Sequence, residues 1–172
     1  MIWPLILYNA VNVYTDMRWR KTKNAWHLLY FLASFVLLQM VGPPFWSIEM
    51  LQFLGIAVVL WLLAGLFFES FRLFSPGDTK MLVVNAFWVS LLSYQSGQWE
   101  GVQETLWLLA FWFILSYLAV SVFLTVRKFG WKAMLRSLCT RVSLRKTDGT
   151  LLSFPGAMPI ACAVGLTLLV TF

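Results

Sequence analysis

Six long apolar stretches, separated by short polar ones, organise the chain. They run from Ile2 to Thr15, Ala25 to Val41, Met50 to Phe68, Met81 to Tyr94, Thr105 to Val126 and Leu151 to Phe172. A helix that crosses a bilayer takes roughly 20 residues at about 1.5 Å each. The pattern therefore predicts an all-α integral membrane protein, a bundle of about six transmembrane helices. It reads as a single domain over residues 1–172, with no internal repeat. The first and fourth stretches are short. Their ends are expected to run into flanking polar residues, or to thin the bilayer, and to be wet. From Gly130 to Lys146 the spacing changes. Trp131, Met134, Leu135, Leu138 and Val142 recur at helical intervals, with Lys132, Arg136 and Arg141 elsewhere on the wheel. That predicts a cytoplasmic interfacial amphipathic helix between helices five and six, an ordered linker with no chemistry of its own.

Composition agrees with the pattern. Of 172 residues, 60% are hydrophobic and only 12% charged, with mean hydropathy +0.78. A soluble domain carries about twice that share of charge. The net charge of +6 would suit a nucleic-acid partner, but its placement argues otherwise. All 13 lysines and arginines fall in three stretches, Asp16 to Asn24, Glu69 to Lys80 and Arg127 to Thr150. In a six-helix chain these share one side, while Glu49, Glu100 and Glu104 lie on the other. Basic loops stay on the cytoplasmic side, so the reading is a multi-pass cell-membrane protein with both termini outside. The expected surface partner is a bilayer with anionic headgroups, not a nucleic acid. Met1-Ile2-Trp3-Pro4 lacks a basic leader region, so the first apolar stretch is expected to be retained. Cys139 and Cys162 form no CxxC pair, and His27 is the only histidine. No metal or other cofactor is expected from that set.

Acidic residues on the basic side are few: Asp16, Glu69, Asp78 and Asp148. Asp16 closes the first stretch and Asp78 opens the fourth, which puts both at one membrane boundary. Asn9 and Asn12 share a helix face with Asp16, and Asn85 lies seven residues after Asp78. Taken singly, each asparagine reads as helix-packing glue. Taken together, the two polar faces are expected to line one wet cleft with two carboxylates. Two carboxyl groups at close range share one proton. The ionised member then activates water and the protonated one polarises a peptide carbonyl.

Asp16-Met-Arg-Trp-Arg-Lys-Thr-Lys-Asn24 resembles the first signature of the type IV prepilin peptidases, an aspartic membrane peptidase family. Ser75-Pro-Gly-Asp-Thr-Lys80 resembles the family's second, a GxGD motif with a lysine two residues on. Pro155-Gly-Ala-Met-Pro159 is similar to its entry into the last helix. The chain has Thr22-Lys23 where the family has Ile-Pro, Ser75 where it has the first glycine, and prolines four apart instead of three. The resemblance covers essentially the whole chain. It implies an aspartic endopeptidase that removes the short basic leader of prepilin-like membrane proteins at the cytoplasmic face, in pilus biogenesis or protein secretion. Cleavage would follow a glycine, just before an apolar helix. Asp16 and Asp78 would be catalytic, with Gly77, Lys80, Asn24, Pro155 and Pro159 in support. The form implied is peptidase-only, because the longer N-terminal region of methyltransferase relatives is missing.

Lys80 either tunes the dyad by its charge or snorkels to headgroups. Asn24 is expected to cap the second helix, and His27 to be an interfacial ring. Two other classes stay open. One is a non-enzymatic membrane subunit of a pilus or secretion assembly. The other is a proton-coupled transporter, disfavoured because neither aspartate lies mid-membrane.

Overall fold

The computed structural model describes residues 2–19, 24–40, 48–70, 74–95, 101–132, 134–135 and 156–172. These residues are helical apart from short turns and ends, and no strand occurs among them. Among the described residues six main helices follow in order: α1 Trp3–Trp19, α2 Asn24–Met40, α3 Ile48–Ser70, α4 Pro76–Gln95, α5 Gly101–Phe129 and α6 Ala157–Thr171.

Each apolar stretch of the sequence becomes one helix, with corrections at the ends. α1 runs past Thr15 to Trp19, and α4 begins at Pro76, five residues ahead of its apolar stretch. Asp16 and Asp78 therefore sit on helical turns, not in the loops beside them. Pro76 opens α4 because a proline in the first turn needs no partner for a missing N–H. α5 stops at Gly130, whose φ of 80° is left-handed and whose N–H donates to Val126 O at 2.8 Å. A glycine takes that conformation with no β-carbon to clash. Beyond it, Trp131–Lys132 and Met134–Leu135 are helical, while the rest of the Gly130 to Lys146 segment lies outside the described residues.

α4 is the hub. It packs against α2, α3, α5 and α6 and touches α1, while α6 packs on α5 and α1. From Met81 to Ser93 every residue of α4 is buried or half-buried. α3 approaches it closely: a β-carbon on Gly65 would lie 2.9 Å from Thr79 Cβ and Oγ1. The interior is polar in places, with Asn12, Asn85, Ser90, Ser93 and Thr167 buried. The exterior is apolar, with Leu63, Leu66 and Phe67 of α3 and Phe111, Leu115 and Phe123 of α5 exposed. Polar inside and apolar outside is the order expected of helices in lipid. Val102–Phe129 is long and apolar enough to cross a membrane, and Leu54–Ser70 and Ala157–Thr171 are shorter apolar helices. These features point to association with a membrane.

Candidate active site

Asp78 is held by the turn that starts α4. Ser75 precedes the helix and Asp78 is its third residue, so the two are placed for a capping box. The Ser75 backbone N–H donates to Asp78 Oδ2 at 2.9 Å, and the Ser75 hydroxyl donates to the same oxygen at 2.8 Å. The Asp78 N–H faces Ser75 Oγ at 3.4 Å. Ser75 thus supplies both donors to this carboxylate, one from its backbone and one from its hydroxyl. Asp78 is only 4% exposed, and its Oδ1 is buried without a hydrogen-bond partner. One oxygen is anchored and the other is uncommitted.

Asp16 reaches the same place from α1. It is 7% exposed, and the Ala157 N–H donates to its Oδ2 at 3.4 Å. Ala157 is the first residue of α6, where backbone N–H groups have no partner within the helix. Gly156, one residue earlier, is pressed against Asp78. A β-carbon there would lie 2.6 Å from Asp78 Oδ2 and 2.7 Å from Oδ1. One dipeptide at the start of α6 therefore touches both carboxyl groups. The two aspartates, 62 positions apart in sequence, converge on it.

Asp78 precedes the apolar stretch that begins at Met81. Burial pushes its carboxyl up from the ordinary 3.8. The two Ser75 donors pull it back, and the charges of Asp16 and Glu69 push it up again, so that it ends raised. The influence of Asp16 is the expected behaviour of like charges at short range. Such a pair titrates as a unit, so neither aspartate takes a fixed role.

The other expected residues divide. Lys80 Nζ donates to Asn24 Oδ1 at 2.9 Å, tying α4 to α2. The Asn24 side chain therefore serves a contact between helices, where a helix cap was expected. Gly77 is half-buried in the first turn of α4 and Pro159 is buried in the first turn of α6. Pro155 lies outside the described residues. The glycine in contact with Asp78 is Gly156, which sequence reasoning quoted within Pro155-Gly-Ala-Met-Pro159 but did not single out. Ser75 was also passed over, although Ser-x-x-Asp ahead of an apolar run is a capping signal. His27 is buried, with Nδ1 at 2.6 Å from Tyr8 Oη. Asn9 and Asn85 face each other across α1 and α4, but as a closed hydrogen-bonded pair and not as walls of a wet cleft. Among the described residues no group of three or more His, Cys, Asp or Glu could hold a metal ion.

No protein-family model matches the chain, and neither a curated protein nor a solved structure matches it.

Proposed function

We propose that the chain is a multi-pass membrane aspartic endopeptidase in which Asp16 and Asp78 work as a dyad on the short basic leaders of prepilin-like membrane proteins. The observation that carries this reading is the convergence of both carboxyl groups on the Gly156–Ala157 dipeptide. The resemblance of the Asp16 to Asn24 and Ser75 to Lys80 segments to the prepilin peptidase signatures supplies the substrate class. In this reading the six helices span the bilayer and the basic loops lie on the cytoplasmic side, where a basic leader would be presented.

The chemistry follows from the electrostatics. Burial and the charge of Asp16 both push the Asp78 carboxyl up, which supports a pair that shares one proton. The ionised carboxylate takes a proton from water as the water attacks the peptide carbonyl carbon. The protonated carboxyl donates to the carbonyl oxygen as negative charge develops there. The carboxyl that took the water proton passes it to the leaving nitrogen and the C–N bond breaks, while the other carboxylate takes a proton from a hydroxyl of the tetrahedral intermediate, so the pair again holds one proton. No covalent intermediate forms.

Asp16→Asn and Asp78→Asn should each abolish leader cleavage, by at least 1000-fold or so, while the protein still accumulates in the membrane. Cleavage of a prepilin in detergent, followed by gel shift, measures this. Full activity in either variant refutes the dyad.

One observation favours a second reading, a non-enzymatic subunit of a pilus or secretion assembly. Each aspartate already has a structural contact, Asp78 with Ser75 and Asp16 with Ala157. Wild-type protein that cleaves no prepilin under any condition would favour that role.

A further inference from the structure

Asn9 and Asn85 form a closed pair in the interior. Asn9 Nδ2 donates to Asn85 Oδ1 at 2.7 Å, and Asn85 Nδ2 donates back to Asn9 Oδ1 at 3.1 Å. Each Nδ2 also donates to the carbonyl four residues back in its own helix, to Leu5 O and to Met81 O, both at 2.9 Å. Both hydrogens of each amide are thereby used. Asn9 is 6% exposed and Asn85 0%, so water does not compete for these bonds.

The position of the pair matters more than its strength. Asn9 lies seven residues before Asp16, and Asn85 lies seven residues after Asp78. Seven residues are about two helical turns, so each asparagine shares a face with its aspartate, some 10 Å along the axis. Where two helices run antiparallel, moving forward along one matches moving backward along the other. Joining position 9 to position 85 therefore sets position 16 level with position 78. The dipeptide at the start of α6 bears this out independently, because it meets both carboxyl groups.

An apolar pair at these positions would not do the same. Dispersion contacts are non-directional and tolerate several registers. A reciprocal amide pair is satisfied in one register only, and a slip leaves both amides buried and unpaired. A single buried asparagine fixes register in coiled coils by the same logic. One helical turn of slip between α1 and α4 would part the carboxyl groups by about 5 Å, too far to share a proton.

We propose that Asn9 and Asn85 are positioning residues, a register lock that holds Asp16 level with Asp78. The functional half of this proposal rests on the dyad reading above, whereas the register half does not. The test replaces both amides together in N9L/N85L, which leaves no orphaned polar group, with N9A/N85A as a second variant should the leucines overpack. Spin labels at Met17→Cys and Lys80→Cys, in a background with Cys139→Ser and Cys162→Ser, report the offset of α1 against α4. The expected result is a narrow distance distribution with the asparagines, and one shifted or broadened by about 5 Å without them. In leader cleavage, kcat should fall at least tenfold with KM unchanged, and the two limbs of the kcat–pH profile should move. Ser90→Ala is the control. It removes a buried hydroxyl that donates within α4, to Ala86 O, and should leave distance and pH profile unchanged. A folded double variant with the original distance overturns the register lock. An altered distance with unchanged kcat and pH profile overturns the positioning role. If the wild type cleaves nothing, the peptidase reading fails, and the label distances still decide the register.

Discussion

At the scale of single residues, the site turns on how unevenly Asp78 is treated. Oδ2 takes two donors from Ser75 and Oδ1 has none, in a position only 4% exposed. The net effect raises the carboxyl above 3.8. Between 3.8 and its folded value the native state holds more protons than the unfolded one, so stability falls as pH rises through that window. Below it the carboxyl is protonated in both states and the penalty vanishes. Asp78→Asn removes the ionisable group while an amide oxygen can still accept from Ser75. Thermal unfolding in detergent should therefore show a higher melting temperature for this variant than for wild type at pH 7, with the difference shrinking towards pH 4. An equal difference at both pH values would contradict the assignment. Of these residues, the two aspartates were legible in the sequence through their places at the ends of apolar stretches. The part played by Ser75 was not, because it stands where the resembling family has glycine and the motif assigns no role to a hydroxyl there. It is a substitution with its own chemistry, adding a hydroxyl donor to the backbone N–H that a glycine would also offer.

At the scale of helices, the packing of α3 on α4 depends on Gly65. The methyl of Thr79 lies where a β-carbon on that residue would go, with Thr79 Cβ and Oγ1 2.9 Å away. Small residues that let backbones approach are a common way for helices to associate in membranes. Gly65→Ala should destabilise the protein by about 1–3 kcal/mol, as overpacking does. Thr79→Ala in the same chain should recover part of the loss, since it removes the methyl and an unpartnered hydroxyl but leaves Cβ 2.9 Å away. Denaturant titration of the single and double variants measures the coupling. The existence of all six helices was readable from the apolar pattern, and their ends moved by only a few residues. Their pairing was not readable. Asn9, Asn12 and Asn85 were visible as polar faces, but a face does not name its partner. His27 shows the same limit: its place near a basic loop did not name the Tyr8 hydroxyl as its partner.

At the scale of the molecule, the exposed surface of α3 and α5 is apolar, and on the membrane reading it faces acyl chains. Leu63 of α3 is 58% exposed and lies near mid-helix. A charge at the centre of a spanning helix costs about 2.5–3.5 kcal/mol on insertion scales. Leu63→Arg should therefore lower the membrane-inserted yield several-fold. The same change at Trp19, exposed at the end of α1, should be neutral. Equal yields from the two, read from carbonate-extracted membranes, would count against a lipid-facing α3. The largest-scale feature is also the least local: α1, α4 and α6 meet at the Gly156–Ala157 dipeptide. The wall beside Asp78 admits no β-carbon. Position 156 therefore admits glycine alone. Gly156→Ala should push the start of α6 off Asp78 and draw the Ala157 N–H away from Asp16, so that one added methyl disturbs both carboxyl groups at once.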